Sequence, residues 1–290
     1  MRWRDALALG RVSNLPTVWT NALAGIVLIG GTPLDARTLP LLLALSLLYV
    51  AGMYLNDYFD REIDARERPE RPIPAGRVAT GTVLAIGAAM IIVALALLAW
   101  LGLGFRDGTG WRPLLAGVAL AGAIVLYDAW HKDNPASPLL MGLCRMLVYL
   151  TAGFTFAISP PLVLLTMALV VLAYLIGLTY VAKQETLGEV RNLWPLLLLA
   201  VPVVYGGAIA LDHPVNAILL LLLVAWIGVA LYFLWRRQAG DVPRAVISLI
   251  AGISLLDALI IAGAGAPGLA WLAVAGFALT LALQRWIAGT

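Results

Sequence analysis

Ten long apolar stretches constrain the fold of this chain more than any other feature. The 290 residues are 62% hydrophobic and 12% charged, with a mean hydropathy of +0.94. Such a chain is too apolar for a water-soluble domain and is long enough for many bilayer crossings. The stretches are residues 15–31, 39–56, 79–102, 113–128, 138–158, 161–182, 194–211, 215–235, 245–264 and 267–287.

Within these stretches the apolar residues are continuous rather than alternating, which argues against a β-barrel. The sequence therefore predicts an all-α polytopic membrane protein. We expect a bundle of about nine to ten transmembrane helices that forms a single domain over residues 1–290.

Positive charge is concentrated on one set of alternate loops. Of the loop Lys and Arg residues, only Arg37, Arg106 and Arg112 fall in the other set. Because cytoplasmic loops are enriched in Lys and Arg, we expect a multi-pass protein of the inner (cytoplasmic) membrane with both termini in the cytoplasm. The sequence pI near 9.2 then reflects a basic face beside anionic lipid headgroups, and a nucleic-acid partner is not expected.

An acidic motif lies where the second apolar stretch reaches the cytoplasmic side. Asn56 is followed by Asp57, Asp60 and Asp64. On a helix the three aspartates share one face, where like charges repel unless a cation lies between them. The following residues, 65–77, are rich in Arg and stiffened by prolines. Since Mg²⁺ takes one or two carboxylates plus phosphate oxygens and waters, this pattern indicates a site for Mg²⁺ and a diphosphate.

A second acidic pair, Glu185 and Glu189, follows the sixth apolar stretch on the same side. The two glutamates share one helical face if the helix persists through them. Acidic residues at cytoplasmic helix ends are often simply solvated, and that interpretation stays open for this pair. The second and sixth helices run in the same direction, which also hints at a weak parallel repeat of about four helices.

These motifs resemble those of the UbiA superfamily of intramembrane prenyltransferases. The similarity covers Asn56 to Asp64, Arg68 and residues 71–76, and the segment from Tyr127 to Lys132 is similar to the family's tyrosine and lysine element. Residues 185–189 occupy the place of the second family motif, with glutamates where aspartates are usual, which alters the expected metal placement. Residues 127–130 and 141–145 resemble the EboC-like bacterial branch. Since the family usually has nine helices, the stretch 267–287 is expected to be an additional C-terminal helix.

The resemblance implies an enzyme that transfers a prenyl group from a prenyl diphosphate to an aromatic or other small acceptor, through an allylic cation. The implied cofactor is Mg²⁺, and the implied metal ligands are Asp57, Asp60, Asp64, Glu185 and Glu189. The residues implied in substrate binding are Asn14, Asn56, Arg68, Arg71, Arg145 and Lys183. Tyr127 and Lys132 join the three aspartates as implied catalytic residues. Membrane lipid is the other expected partner, and the oligomeric state stays open.

Two ionisable residues, Arg145 and Asp257, lie within apolar stretches, where a charge is costly and usually functional. We expect Arg145 to line the diphosphate or acceptor pocket. Asp257 has three open roles: it bonds an acceptor hydroxyl, stays protonated, or pairs with a Ser or Tyr. Asp128 and Asp133 are interpreted as solvated loop acids.

Four tyrosines are candidates for facing the allylic cation, with ordinary packing as the alternative: Tyr49, Tyr54, Tyr127 and Tyr149. Three other functions fit parts of the pattern. These are transfer of a phosphoribosyl or sugar phosphate to a lipid phosphate, transport of an isoprenoid or lipid, and binding of isoprenoids without turnover. The acidic motifs lie at one membrane face rather than at its midplane, which argues against a transporter.

Overall fold

The fold is a helical bundle. The computed structural model describes residues 1–132, 134–187, 194–287 and 289, except for the side chains of residues 184–187 and 194. Their helices are α1 (Trp3–Leu9), α2 (Leu15–Leu28), α3 (Thr38–Phe59), α4 (Arg61–Glu67), α5 (Thr80–Leu103), α6 (Arg112–Trp130), α7 (Ser137–Phe156), α8 (Leu162–Leu187), α9 (Val201–Ile209), α10 (Pro214–Arg236), α11 (Asp241–Gly263) and α12 (Pro267–Gln284). Short 3-10 turns at Val12–Asn14 and Trp194–Ala200 precede α2 and α9.

Eight of these helices, α3, α5 to α8 and α10 to α12, are long and apolar enough to cross a membrane. The prediction of an all-α polytopic protein is therefore confirmed. Two of the ten apolar stretches form shorter elements. Helix α2 has 14 residues and is about 21 Å long. The stretch 194–211 is divided between a 3-10 turn and the nine-residue α9, which begins next to Pro202, a residue suited to a first helical turn.

Helix α11 lies at the centre of the bundle. In its most apolar window 89% of the residues are buried, compared with 22% in α5 and 17% in α12. It packs against α2, α8, α10 and α12, and α12 also packs against α2. The outer helices expose aliphatic side chains such as Ile92, Val93 and Leu272, as expected for surfaces that face lipid.

The amino-terminal helix α1 is fastened to the segment that follows α4. Arg77 Nε donates to Asp5 Oδ1 at 2.8 Å, and Arg2 Nε donates to Asp5 Oδ2 at 3.2 Å. The hydrogen bond from Arg77 is the main cause that lowers the pKa of Asp5 below its ordinary value. Tyr54 Oη on α3 donates to the Ala6 carbonyl at 3.3 Å. These contacts hold the turn after α1 against the end of α3.

Candidate active site

The three aspartates of the first acidic motif lie at the junction of α3 and α4. The Asp60 amide donates to the Asn56 carbonyl at 2.9 Å, and the Asp64 amide donates to the Asp60 carbonyl at 2.8 Å. The helical hydrogen bonding thus continues across the junction and keeps the carboxylates on one face. Asp57, Asp60 and Asp64 are 6%, 7% and 4% exposed. They are buried at the end of the bundle rather than solvated.

Two arginines from different segments pair with this motif. Arg11 Nη2 donates to Asp57 Oδ1 at 2.9 Å, and Arg71 Nη1 donates to the same oxygen at 3.2 Å. Arg71 Nη1 also donates to Asp64 Oδ2 at 2.8 Å. Arg11 further reaches Asn56 Oδ1 at 3.4 Å. Its φ of 40° is in the left-handed region, which is uncommon for a residue other than glycine and recurs at functional sites.

Asp60 faces the loop that follows α6. His131 Nε2 is 3.6 Å and Lys132 Nζ is 3.7 Å from Asp60 Oδ2, both longer than a hydrogen bond. The ring of Tyr127 stacks on His131 with centroids 5.0 Å apart. Burial lowers the pKa of His131 below its ordinary value and outweighs the attraction of Asp60. The predicted residues Tyr127 and Lys132 are thus brought to the aspartates.

The other residues predicted to belong to the site either lie around this cluster or fall outside the part of the chain that the structure describes. Lys183 Nζ on α8 donates to the Asn134 carbonyl at 2.5 Å, which brings the end of α8 beside the loop containing Lys132. Arg68 ends α4, where its amide donates to the Asp64 carbonyl at 2.8 Å. The side chain of Glu185 and all of Glu189 lie outside the described residues. The role of the second acidic pair stays a prediction.

Asn14 makes contacts of a different kind. Its Nδ2 donates to the Gly289 carbonyl at 2.8 Å, and its Oδ1 accepts from Gln284 Nε2 at 3.0 Å. These bonds connect the turn before α2 to the end of α12. They do not bring Asn14 to the aspartates, and its substrate role stays a prediction.

A cavity of about 80 Å³ opens on the membrane side of the aspartates, between α2, α3, α6 and α7. Its lining is largely apolar, and its more polar members are Tyr49, Tyr127, Asp128, Cys144 and Arg145. Asp128 is 4% exposed, so its interpretation as a solvated loop acid was wrong. Helix α6 continues past it to Trp130 and packs against α3 and α7, which cover the side chain. Asp133 lies outside the described residues.

Arg145 lines this cavity and is held by α2, while its role towards a diphosphate or an acceptor stays a prediction. Its Nη1 donates to Asn21 Oδ1 and its Nη2 donates to Thr17 Oγ1, both at 2.9 Å. The guanidinium also lies over the Tyr49 ring, 5.7 Å from the centroid. Hydrogen bonds of this kind fix the direction of a planar guanidinium.

Asp257 on α11 completes a buried network with α2 and α7. It accepts from Thr20 Oγ1 at 2.5 Å, from Asn21 Nδ2 at 2.8 and 2.9 Å, and from Tyr149 Oη at 2.5 Å. Both carboxylate oxygens therefore have protein partners. Of the three open roles, the structure contains the pairing with a protein hydroxyl, which also occupies the hydroxyl of Tyr149.

The carboxylates of Asp57, Asp60 and Asp64 offer oxygen ligands and negative charge to Mg²⁺. Within the described part of the chain, no three His, Cys, Asp or Glu side chains are close enough to enclose a metal ion. A full protein cage is not needed, because Mg²⁺ keeps waters and takes substrate oxygens beside one or two carboxylates. The oxygen-only donors suit this ion, and the long ion pairs leave Asp60 Oδ2 open to it. The residues fit Mg²⁺ bound together with a diphosphate.

Sequence reasoning missed three members of the site: Arg11, Asp128 and His131. The resemblance touched Arg11 only as the start of a familiar segment, and its left-handed backbone has no glycine or asparagine to signal it. His131 stands directly before Lys132, and its stacking on Tyr127 at i+4 was a signal that could have been used.

Comparisons with known proteins agree with this geometry. The UbiA prenyltransferase family matches residues 18–250. A digeranylgeranylglyceryl phosphate synthase of Methanopyrus kandleri is 28% identical over 86% of this chain and 88% of its own length. One of Methanoregula boonei is 33% identical over 46% of this chain, but the match spans only 44% of that protein.

Solved structures share the fold. The apo structure of a UbiA homolog from Aeropyrum pernix K1 aligns with a TM-score of 0.67 at 18% identity, covering 87% of this chain and 97% of that one. A structure concerned with digeranylgeranylglyceryl phosphate synthase in membranes aligns with a TM-score of 0.63 at 19% identity, covering 90% and 97%. The match over most of the length and the shared fold lead to one conclusion: the chain belongs to the UbiA prenyltransferase family.

Proposed function

We propose that this protein transfers a prenyl group from a prenyl diphosphate to an acceptor within the inner membrane, with its diphosphate site on the cytoplasmic side. The observation that carries the proposal is the buried cluster of Asp57, Asp60 and Asp64 beside Arg11 and Arg71, directly above a largely apolar cavity. Charged groups proposed to bind a diphosphate thus adjoin an apolar space of about 80 Å³, which suits the first carbons of a prenyl group.

The diphosphate group of the substrate is bound by arginine and lysine side chains whose positive charges are already paired with aspartates. Arg71 and Lys132 are the residues proposed to bind phosphate oxygens, with Arg68 and Lys183 at the rim. Because the fixed cations are matched by carboxylates, an incoming diphosphate requires further positive charge. Mg²⁺ held by Asp57, Asp60 and Asp64, with Glu185 and Glu189, would supply that charge and stabilise the leaving diphosphate.

The first prenyl carbon, which carries the positive charge of the allylic cation, lies in the cavity. Its apolar walls exclude water, which would otherwise convert the cation to an alcohol. Tyr49 and Tyr127 line the cavity, and the ring face that Arg145 or His131 does not cover would stabilise positive charge. Arg145 is fixed by its bonds to Asn21 and Thr17. The names of the relatives support a glyceryl phosphate acceptor, and we propose an acceptor of that kind rather than an aromatic ring.

The test is release of diphosphate from geranylgeranyl diphosphate by the purified protein in the presence of Mg²⁺, with and without a chelator. We expect Mg²⁺-dependent release that falls at least about tenfold in Asp60→Ala, equivalent to about 1.4 kcal/mol of barrier reduction. Asp107→Ala, a change to an exposed aspartate in the loop before α6, is the matched control and should keep full activity. Full activity in Asp60→Ala, or release without any divalent ion, would contradict the proposal.

A further inference from the structure

One carboxylate oxygen at the cavity has no hydrogen-bond partner among the described residues. Asp128 is 4% exposed and lines the cavity, and its Oδ2 is buried without a hydrogen bond from the described residues. A buried polar atom in this condition destabilises the folded protein, and more so if it is charged. Among the described residues seven buried side-chain atoms lack a partner, and Asp128 Oδ2 is the one carboxylate oxygen of the seven and the one whose residue lines the cavity. A ligand in the cavity can therefore donate a hydrogen bond to it.

The position of Asp128 suits a reacting group. It precedes Lys132 by four residues, which is about one helical turn deeper towards the membrane. Lys132 faces Asp60 at 3.7 Å, at the level of the proposed diphosphate site. Asp128 therefore lies just below that level, on the same side of the cavity as Tyr127. The first carbon of a bound prenyl diphosphate would be in this region.

A metal ion is the other ligand that a free carboxylate oxygen can take. Asn56 is a hydrogen-bonding neighbour of the Asp128 carboxylate, and Arg11, Asp57 and Asp60 are its charged neighbours. However, the Mg²⁺ of the proposed function is assigned to Asp57, Asp60 and Asp64, none of which lines the cavity. The free oxygen also borders a cavity whose walls are mainly apolar. An organic hydrogen-bond donor fits these surroundings better than an ion.

On the basis of the proposed prenyl transfer, we propose that Asp128 Oδ2 accepts a hydrogen bond, and then the proton, from the hydroxyl group with which the acceptor attacks. The bond between the first prenyl carbon and the diphosphate oxygen breaks, and its electron pair leaves with the diphosphate. A lone pair of the acceptor oxygen forms the new bond to carbon, and the hydroxyl proton passes to Asp128. The acceptor class is therefore an alcohol or phenol that reacts through oxygen.

The experiment separates ionisation from capture. Full-length protein receives Mg²⁺, geranylgeranyl diphosphate and geranylgeranylglyceryl phosphate as the hydroxyl probe, and released diphosphate and prenylated product are measured in the same sample. In Asp128→Asn we expect product formation to fall at least about 100-fold, as for loss of a general base. Diphosphate release into water and the affinity for geranylgeranyl diphosphate should change by less than about threefold. Asp107→Asn is the matched control and should behave as the wild type.

A second readout depends on the hydroxyl group itself. The methyl ether of the probe lacks the donor, so the wild-type protein should bind it about tenfold more weakly. This preference should shrink in Asp128→Asn, because a neutral amide oxygen accepts a hydrogen bond more weakly than a carboxylate. Unchanged product formation in that variant would overturn the inference, and so would loss of product and diphosphate release together. No diphosphate release by the wild type would overturn the proposed function itself. Should Asp128→Asn not fold, Asp128→Ser is measured in the same way.

Discussion

Two buried aspartates in this bundle have opposite surroundings. Asp257 on α11 is fully buried, and both its oxygens accept hydrogen bonds from Thr20, Asn21 and Tyr149. Asp128 on α6 is almost as buried, yet one of its oxygens has no partner in the part of the chain that the structure describes. A satisfied carboxylate joins helices, whereas an unsatisfied one is available to a ligand. Burial of a charged residue in a membrane protein is therefore not sufficient evidence of a catalytic role. The hydrogen-bond partners of the residue distinguish a structural role from a ligand-binding one.

The largest effect is expected when the satisfied network is broken. Asp257→Ala leaves buried Arg145 without the carboxylate that balances it through Asn21, and should destabilise the protein by about 3–5 kcal/mol. Unfolding of the purified protein in detergent measures this loss. Asp257→Asn, which keeps part of the hydrogen bonding, should cost less. A loss below about 1 kcal/mol in Asp257→Ala would show that the network does not hold the helices together.

At the diphosphate site the same kind of change should affect binding more than folding. Arg71→Gln removes the charge that bonds to Asp57 and Asp64, and we expect the KM for the prenyl diphosphate to rise about 10- to 100-fold. Steady-state kinetics measure the change. Arg66→Gln, at an exposed arginine of α4, is the control. An unchanged KM in Arg71→Gln would show that this arginine does not bind the prenyl diphosphate.

A smaller change tests whether α2 positions Arg145. Thr17→Val keeps the shape of the side chain but removes the hydroxyl that accepts from Arg145 Nη2. The substitution also removes the hydrogen bond that Thr17 Oγ1 donates to the Asn14 carbonyl at 2.7 Å. Loss of the two bonds, one of them to a buried charge, should cost about 2 kcal/mol in the free energy of unfolding. Thr166→Val, at an exposed threonine of α8, should be neutral. Equal effects of the two substitutions would contradict a special role for Thr17.

The smallest expected effect concerns the anchor of α1 and depends on pH. The pKa of Asp5 is lowered from 3.8, mainly by the hydrogen bond from Arg77, so ionised Asp5 stabilises the folded protein. That contribution is complete above 3.8 and is lost as the pH falls through the lowered pKa of the folded state. Asp5→Asn should therefore melt earlier than the wild type at neutral pH, and the difference should shrink on acidification. A difference independent of pH would rule out the charge as its source.

The sequence predicted the parts of this molecule that depend on hydrophobicity and spacing. The apolar stretches predicted most of the helices. The spacing of Asp57, Asp60 and Asp64 predicted that the three carboxylates share one helical face. It did not predict the state of Asp128, because the apolar stretch ends there while the helix continues to Trp130. Whether a charge at a helix end is solvated depends on the helices packed against it, here α3 and α7. Likewise, the sequence left several roles open for Asp257, because its hydrogen-bond partners Asn21 and Tyr149 are 236 and 108 residues away in the chain.

The long sequence separations in the Asp257 network bear on how the chain assembles during synthesis. Asn21 is made 236 residues before Asp257, and Arg145 is joined to Asn21 across 124 residues. The amide and the guanidinium thus reach the lipid phase before the carboxylate that completes their bonding. Since contacts between distant residues form slowly, arrival of α11 is a late step in biogenesis. A ribosome-bound chain that ends before α11 would carry polar groups in the bilayer and depend on the insertion machinery to shield them.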